Sequence, residues 1–239
     1  MDEANSNHIY IGKDLESMSY AQNYSEWIIE LFLDYTGNTI GEVGAGTGNL
    51  TNLFSKLDKV KSISAFEPSD DMHDILVKNT NQSNKISTIN STAAQVVNNY
   101  TSHFDSIFYI NVLEHVKNDD EETRIIHKML KDGGNACIFV PALSYLYSEF
   151  DKSIGHYRRY HKKQLKDLFE SNGFKVLNIK YIDMLGIIPW YINFVLLKRS
   201  LDPKSTKLYD SFIIPLVKRI DKLFESPVGK NLILVAQKT

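Results

Sequence analysis

The sequence predicts an α/β fold whose mostly parallel sheet carries helices on both faces. From residue 38 onward, short apolar runs alternate with longer segments of helical periodicity, and this alternation is typical of a parallel sheet. The run at 106–110 is almost continuously apolar, as expected for a central strand covered on both faces. Seven runs are predicted to be strands: 39–43, 62–66, 85–90, 106–110, 135–140, 175–181 and 231–236.

A single domain with additions is the predicted organisation of the 239 residues, because this length can bury a full core. The stretch 14–35 is predicted to be helical, since Trp27, Ile28 and Leu31 recur at helical spacing with acids between them. The predicted parts of the domain are an N-terminal helical lid at 1–36, a core at 37–182, a helical cap inserted at 183–229 and the last strand at 230–239.

Composition and charge favour a cytoplasmic protein without an export signal or a transmembrane helix. The formal net charge of −2 gives no global attraction to nucleic acid or to an anionic membrane. The single cysteine, Cys137, stands in an apolar run and is predicted to be a buried thiol in a reducing compartment. The first 13 residues lack an apolar signal core. The most apolar stretch, 185–197, is shorter than the roughly 20 residues that span a bilayer.

A glycine-rich loop at 42–48 follows the first predicted strand and precedes a helical segment. Glycine tolerates positive φ and leaves room for a ligand against the backbone. A dinucleotide site requires a glycine where this chain has Asn49, and a phosphate-binding P-loop requires a lysine that this loop lacks. A purely structural turn is the third interpretation, which the position between a strand and a helix disfavours.

An acid, Glu67, ends the second predicted strand. We expect it at the carboxyl edge of the sheet, where the ligands of open α/β folds bind. A carboxylate there can accept hydrogen bonds from two ribose hydroxyls, and a solvated surface acid is the alternative. Ser69 is suited to cap the next helix, and Met72 is expected to present an apolar side chain to an adenine ring.

Four segments, at 40–50, 65–72, 104–116 and 130–134, occur in an order and at spacings found together in a known family. They resemble the class I S-adenosylmethionine-dependent methyltransferases. The resemblance covers roughly residues 37–182, which would be the cofactor-binding core. It implies a Rossmann-like fold and S-adenosylmethionine as the methyl donor, with S-adenosylhomocysteine as the product.

The resemblance also assigns roles in binding the cofactor. Glu42 and the loop backbone would hold its methionine portion, Glu67 its ribose, and Asn111 would lie beneath the acceptor site. Thr92 stands where the family usually has an aspartate that bonds the adenine amino group, and its hydroxyl can still accept that bond. The implied cofactor-binding residues are Tyr20, Glu42, Gly44, Ala45, Gly46, Glu67, Pro68, Met72, Thr92, Ala93 and Asn111.

The implied reaction is an in-line displacement, with the acceptor atom held roughly 3–3.5 Å from the donor methyl group. A base is needed only when the acceptor is protonated at the working pH, as a hydroxyl is. No metal is expected. Some quinone O-methyltransferases of this family bind a divalent cation through a Glu-x-x-Glu-His cluster, but Asn111 replaces the first glutamate here. Glu114 and His115 are therefore predicted to be structural.

A stretch rich in tyrosine and arginine, at 144–161, is expected to overhang the acceptor cleft. Between residues 152 and 166 the chain has many basic residues and no acid, a pattern that suits phosphate or carboxylate binding. His156 is the candidate catalytic base. The predicted substrate-binding residues are Tyr24, Tyr145, Tyr147, Tyr157, Arg158, Arg159, Tyr160 and Trp190.

Segments beside this stretch are open to more than one interpretation. Tyr20 and Tyr24 would share a helix face, and either pack on the sheet or contact the ligand. The basic residues Lys162, Lys163 and Lys166 are predicted to be solvated. Apolar residues at helical spacing in 183–229 indicate a core or a partner interface. Beside a cleft they would also suit an acceptor channel or, through 185–217, weak contact with a membrane surface.

The predicted function is methyl transfer to an oxygen or nitrogen of a small-molecule acceptor, which is anionic, sugar- or lipid-linked, or a secondary metabolite. The segments 150–160 and 165–174 resemble a bacterial subgroup often grouped with sugar or lipid biosynthesis. Methylation of a protein or nucleic acid is an alternative, although the overall charge disfavours nucleic acid. A regulatory protein that binds the cofactor without turnover is another. Both a monomer and a homodimer are compatible with the sequence.

Overall fold

The computed structural model describes residues 21–199 and 202–239. Its strands are β1 Thr39–Val43, β2 Ser62–Phe66, β3 Ile86–Ile89, β4 Phe104–Ile110, β5 Leu130–Pro141, β6 Phe174–Ile182 and β7 Asn231–Lys238. They form one seven-stranded sheet in the order β3-β2-β1-β4-β5-β7-β6. β7 runs antiparallel to β5 and β6, and the other neighbouring pairs are parallel. The predicted mostly parallel, Rossmann-like α/β fold is confirmed.

β5 begins at Leu130, earlier than the predicted start at residue 135. Gly133 has φ of +75°, and a Cβ on Gly134 would lie 3.1 Å from the carbonyl oxygen of Phe104. The pairing with β4 shifts register between Phe104 and Ser106. The two glycines therefore let the strand continue through an irregularity that interrupts its apolar pattern.

Helices flank the sheet on both faces. In the described residues they are α1 Gln22–Phe32, α2 Asn49–Ser55, α3 Asp70–Thr80, α4 Ala93–Val96, α5 Asp119–Met129, α6 Glu149–Ser153, α7 Lys162–Glu170, α8 Ile187–Trp190, α9 Pro203–Leu208 and α10 Ile214–Leu223. A π-helical stretch, Tyr191–Leu196, extends α8, and a second one, Tyr209–Ile213, joins α9 to α10.

Alternation along the central strands divides the core into two layers. Ile107 and Tyr109 of β4 belong to a cluster that includes α5 and α7 side chains, whereas Phe108 and Ile110 belong to a second cluster with side chains of α1, α2 and α10. Cys137 is buried in the second cluster, and burial raises the pKa of its thiol above the ordinary range. This cysteine is thus a core residue.

The N-terminal helix is attached to the cap segment at 183–229 by a buried acid. Asp210 accepts the backbone N–H groups of Asn23 at 3.1 Å and Tyr24 at 2.8 Å. These are first-turn donors of α1 that have no partner within the helix, so Asp210 caps α1 from a distant segment. Of the stretch 14–35 predicted to be helical, residues 14–20, with Tyr20, lie outside the described residues.

The parallel strands end at one edge of the sheet, and the loops after β1, β2, β4 and β5 meet there. Several residues at this edge have positive φ: Gly44, Gly46, Asn111 and Leu143. In the described part of the chain, no helix combines the length and apolarity needed to cross a bilayer.

Candidate active site

A cavity of about 1640 Å³ lies along the carboxyl edge of the sheet. Its walls come from the loops after β1, β2 and β4, from residues 150–157, and from the inner faces of α1, α8, α9 and α10. A pocket for one small ligand has roughly 300–1,000 Å³. The cavity can therefore hold a nucleoside-sized cofactor together with an acceptor.

The glycine loop at 42–48 forms one end of the cavity and requires glycine. Gly44 has φ of +70°, and a Cβ at this position would lie 2.5 Å from Val112. The N–H groups of Gly44 and Ala45 both donate to the carbonyl of Phe66, at 2.9 and 3.0 Å. These bonds hold the loop against the end of β2, so that its backbone lines the cavity.

Two buried acids face the same end of the cavity. Glu67 accepts the Gly46 N–H at 2.8 Å and the Ser69 N–H at 2.9 Å, and burial raises its pKa. Glu42 accepts the Thr51 hydroxyl at 2.6 Å, and burial raises its pKa to about 8. Each of these two carboxylates accepts only a few hydrogen bonds from the protein. Each can therefore accept further hydrogen bonds from hydroxyl or ammonium groups of a ligand.

Of the other residues predicted to bind the cofactor, some line the cavity and one does not. Pro68, Met72, Thr92 and Asn111 line the cavity with the loop and the two acids. Ala93 is buried outside the lining. Thr92 caps α4: its hydroxyl accepts the Gln95 N–H, while the Gln95 side chain accepts the Thr92 N–H. Helix capping therefore gives threonine a local role at a position where the family usually has aspartate.

His156, the candidate base, lines the middle of the cavity between two acids. Its Nδ1 lies 3.0 Å from Asp151 Oδ1, and its Nε2 lies 3.8 Å from Glu114 Oε1. The rings of His156 and His115 meet edge-on, with centroids 4.5 Å apart. The carboxylate at Nδ1 fixes that nitrogen as the protonated one in the neutral ring, which leaves Nε2 able to accept a proton.

Asp151 is fully buried and connects several groups. Its Oδ2 accepts the N–H and hydroxyl of Ser148, both at 2.8 Å. Its Oδ1 receives Arg159 Nε at 3.0 Å in addition to His156. Burial acts to raise the pKa of Asp151, but the hydrogen bonds and charges of His156 and Arg159 outweigh it and hold the pKa below its ordinary value. The sequence did not predict a role for Asp151. The spacing Ser148-x-x-Asp151 is that of a capping box, and this was the one signal for its position at the start of a helix.

Glu114 is buried, and neither carboxylate oxygen has a hydrogen-bond partner among the described residues. Burial raises its pKa to about 7, whereas burial lowers the pKa of His115 to about 4. Single ligand atoms of Glu114, His115 and His156 lie within 4.8 Å of one another, close enough to reach a common cation. The absence of a metal stays a prediction, and the structure adds His156 to the groups that a test must include.

Aromatic side chains line a second part of the cavity, which is called the acceptor side because the sequence predicts that the acceptor binds there. Phe150, Trp190 and Phe194 pack together, with centroids of Trp190 and Phe194 4.3 Å apart and those of Phe150 and Phe194 5.1 Å apart. The Arg159 guanidinium lies over the Trp190 ring at 4.5 Å. Phe150 and Phe194 were not predicted as site residues, although the spacing of Trp190 and Phe194 places both on one helix face.

Only some of the predicted substrate-binding residues line the cavity. Tyr24, Tyr157, Arg159 and Trp190 line the cavity, but the other members do not. Tyr160 is buried in the core, where backbone bonds to Pro141 and Leu143 hold it beside β5.

Three further members are directed elsewhere. Arg158 pairs with Asp119 at 2.5 Å and donates to the carbonyl of Lys117 at 2.7 Å. Tyr147 donates to the His156 carbonyl at 2.7 Å from outside the lining, and Tyr145 is exposed away from it.

Two of the basic side chains that reach the cavity are paired with acids, Arg159 with Asp151 at 2.8 Å and Lys230 with Asp183 at 2.9 Å. Lys152 and Arg199 also line the cavity, and neither forms a salt bridge among the described residues.

Comparisons with known proteins agree with the fold. A family model described as a methyltransferase domain matches residues 18–179. An uncharacterized methyltransferase from Staphylococcus carnosus (strain TM300) is 31% identical over 125 residues, which are 51% of this chain and 56% of that protein. The match thus spans little more than half the length of this relative.

Solved structures share the fold at low identity. A SAM-dependent methyltransferase from Archaeoglobus fulgidus has a TM-score of 0.65 at 13% identity, covering 94% of this chain and 99% of that one. Phosphoethanolamine N-methyltransferase 2 from Haemonchus contortus was solved with phosphomonomethylethanolamine and S-adenosylhomocysteine. It has a TM-score of 0.64 at 14% identity, covering 97% of this chain and 59% of that one.

Proposed function

The chain belongs to the class I S-adenosylmethionine-dependent methyltransferases, and we propose that it methylates a protonated oxygen or nitrogen of a small-molecule acceptor, with His156 as the general base. The observation that carries the proposal is the position of His156, in the same cavity as Glu42 and Glu67 and fixed by Asp151. A base placed there is useful when the acceptor must lose a proton, as a hydroxyl does.

The glycine loop and two acids are suited to the cofactor. In this proposal Glu67 would hold the ribose hydroxyls, Glu42 the ammonium end of the methionine portion and Met72 the adenine, while Asn111 would lie beneath the acceptor; all four line the cavity. A Cβ at Gly44 would collide with Val112, so the loop keeps an open backbone surface. When bound, S-adenosylmethionine supplies a methyl group that is already activated by the sulfonium.

Proton removal is assigned to Nε2 of His156. Asp151 holds the proton on Nδ1 and stabilises the imidazolium that forms when Nε2 takes a proton from the acceptor. Arg159 keeps Asp151 ionised and in place through its contacts at 2.8 and 3.0 Å. Glu114 Oε1, 3.8 Å from Nε2, is too far for a hydrogen bond, and its ionised form would stabilise the imidazolium through its charge.

The acceptor side favours a molecule with an apolar or aromatic body. Phe150, Trp190 and Phe194 supply flat apolar surface, which orients planar groups and excludes water.

Arg159 and Lys230, which lie over the Trp190 ring, are already paired with acids. Lys152 and Arg199 line the cavity without a salt bridge among the described residues, so an anionic substituent on the acceptor would find a basic partner there. We therefore propose a hydroxyl on an apolar body as the methylated group, and the acceptor panel includes bodies with and without a negative charge.

Other features of the prediction belong to the same proposal. We propose that the chain forms a single domain, divided as the sequence predicts into a lid at 1–36, a core at 37–182, a cap at 183–229 and a last strand at 230–239. A location in the cytoplasm and a monomeric or homodimeric state are proposed with it.

The test has two steps. Titration calorimetry compares S-adenosylhomocysteine with NAD, and we expect only the first to bind. Release of S-adenosylhomocysteine from S-adenosylmethionine is then measured with phenols, alcohols and amines as acceptors.

His156→Gln should lower turnover by about 100-fold or more while leaving the binding of S-adenosylhomocysteine unchanged. The exposed His103, before β4 at the opposite edge of the sheet, gives the matched control His103→Gln. Equal activity of His156→Gln and wild type would exclude the base. Binding without turnover on any acceptor would favour the regulatory alternative.

A further inference from the structure

The outer face of the cap segment at 183–229 carries a long apolar stripe. From α9 through α10 the chain is continuously helical, and Leu208, Phe212, Leu216 and Leu223 are exposed on it. Their spacing of four, four and seven residues puts them on one side of the helix. Phe212 is 71% and Leu223 is 82% exposed. Side chains of this kind in a row are uncommon on a solvated helix.

The opposite face of the same helix has a different role. Ile214 and Val217 are buried with α1 in the core, and Asp210 caps α1. Tyr209 and Ile214 also line the cavity. The stripe is therefore not a remnant of core packing, because the core-facing positions are already occupied by other residues.

The helical segment formed by α8 and its π-helical extension to Leu196 also has an exposed apolar stripe on one side and cavity-lining residues on the other. Ile188, Ile192 and Leu196 are exposed at spacings of four residues, whereas Trp190 and Phe194 line the cavity. Both helical parts of the cap thus present apolar residues outward and site residues inward. Each of the two helical parts therefore carries an exposed apolar stripe, and these stripes are the outer surface of the cap.

Charge on this outer surface is strongly one-sided. In the described residues from 187 to 223, the exposed basic side chains outside the cavity lining are Lys198, Lys204, Lys207, Arg219 and Lys222, and the exposed Arg199 lines the cavity. The exposed acid in this range is Asp202, which caps α9. Glu30 of α1 pairs with Lys218 and Lys222, which still leaves a clear basic excess in a chain whose net charge is −2.

We propose that the outer surface of the cap docks onto an anionic phospholipid surface. Exposed apolar side chains flanked by Lys and Arg bind at the boundary of headgroups and acyl chains, and each basic residue adds attraction to anionic lipid. A second copy of this chain fits less well, because a two-fold interface would bring like basic charges together. The proposal does not depend on which acceptor is methylated.

Docking in this way would hold the cavity near the lipid. The cavity is lined by the inner faces of the same helices, and a helix with its side chains is about 10–12 Å across. An acceptor dissolved in the membrane would then be within about one helix diameter of the site.

The first experiment is flotation of the full chain with vesicles. Vesicles of phosphatidylglycerol and phosphatidylcholine should carry the protein at low salt, and added salt should weaken the binding. Vesicles of phosphatidylcholine alone should bind it at least about tenfold more weakly. Absence of binding to the anionic vesicles at low salt would overturn the proposal.

Two sets of variants separate the apolar and charged contributions. F212S combined with L216S should weaken vesicle binding by about tenfold or more. The matched control is I75S combined with V77S, two exposed apolar residues of α3, and it should bind like wild type. K204E combined with K207E should weaken binding by about 30-fold or more and should remain informative if the first pair folds poorly.

Light scattering after gel filtration tests the alternative that a second copy of this chain covers the outer surface of the cap. A dimeric wild type that becomes monomeric in the F212S and L216S variant, without vesicle binding by either, would assign the face to a second copy and overturn the proposal. Binding of S-adenosylhomocysteine should be the same in all these variants, because none of the substituted residues lines the cavity.

Discussion

The cofactor side and the acceptor side of the cavity are built in different ways. On the cofactor side, Glu42 bonds Thr51 nine residues away, and Glu67 bonds Gly46 twenty-one residues away. On the acceptor side, Asn23 bonds Asp210 across 187 residues of sequence, and Asn231 bonds Tyr24 across 207. A site made of neighbouring loops can be read from a local motif, whereas a site made of distant segments depends on the whole fold.

The two sides also treat charge differently. The acids of the cofactor side, Glu42 and Glu67, form no salt bridge with the described residues, and burial raises their pKa values. On the acceptor side, Arg159 and Lys230 are neutralised by Asp151 and Asp183. A ligand can thus supply the partner charges of Glu42 and Glu67, whereas the protein itself already supplies those of Arg159 and Lys230.

The largest effect is expected when the acceptor side loses its central acid. Asp151→Asn would leave the Arg159 guanidinium buried without its counter-charge, and breaking a buried pair in this way costs about 3–5 kcal/mol. Urea unfolding should show this loss. Replacing Asp167, the exposed partner of Lys163, by Asn should cost less than about 1 kcal/mol.

Combining Asp151→Asn with Arg159→Met should recover much of the lost stability, because the buried charge is removed. A single Asp151→Asn variant as stable as wild type would show that the pair does not hold the acceptor side together.

On the cofactor side, the corresponding substitution is Glu67→Ala. Two hydrogen bonds to a charged acceptor contribute about 1.5–3 kcal/mol each, so the affinity for S-adenosylhomocysteine should fall by about 100-fold or more. Calorimetry would measure it. Asp74→Ala, at an exposed acid of the adjacent helix α3, should leave the affinity unchanged, and an equal affinity for Glu67→Ala would remove this residue from the ribose site.

On the acceptor side, the raised pKa of Glu114 should make the free energy of unfolding depend on pH. Its pKa is about 7 in the folded protein against 4.5 for an ordinary glutamate. Below pH 4.5 the carboxyl is protonated in both states. As pH rises toward 7, the unfolded state ionises first, so stability falls, and the loss reaches roughly 3 kcal/mol above that range.

Glu114→Gln should abolish this fall. Urea unfolding at pH 5 and pH 8 should therefore show a larger gain from the substitution at pH 8. Glu26→Gln, at an exposed position, should change stability equally at both pH values. The same dependence on pH in Glu114→Gln and wild type would assign the fall to other groups.

The sequence could predict the cofactor side because its motif is local. β1 and β2 have the predicted bounds, and the resemblance of four short segments to a known family implied the cofactor. The family, the fold and the cofactor are confirmed. The start of β5 was missed because Gly133 and Gly134 interrupt the apolar pattern that marks a strand, and only the pairing with β4 shows that the strand continues.

The acceptor side was less predictable, because adjacent residues of one loop go to different places. Arg159 reaches the cavity while Tyr160 enters the core beside β5, where a bridge pairs it with Ala142. The amino-acid composition of the loop does not tell which of these two side chains faces the cavity and which is buried in the core. The role of Asp151 was missed for the same reason, since it depends on Arg159 and His156 folding back onto α6.

A smaller effect is expected at Asp210, which joins the cap to α1. Asp210→Ala removes the acceptor for the first N–H groups of α1, and loss of a cap costs about 1–2 kcal/mol. Hydrogen exchange should become faster at Asn23 and Tyr24. Asp202→Ala removes the local cap of α9 and should leave exchange in α1 unchanged. Unchanged exchange in Asp210→Ala would show that the acceptor side does not need this connection.

The smallest effect is expected from metal removal. A cation at Glu114, His115 and His156 would need an ionised carboxylate, and the pKa of about 7 keeps much of Glu114 protonated near neutrality. Asn111 also replaces the acid that would add a charged ligand. Incubation with a chelator should leave the melting temperature and the methyl transfer rate unchanged, and calorimetry with Mg²⁺ or Mn²⁺ should show no tight binding. If a chelator abolishes activity and Mn²⁺ restores it, the acceptor side would be a metal centre, and His156 would be a ligand instead of the base.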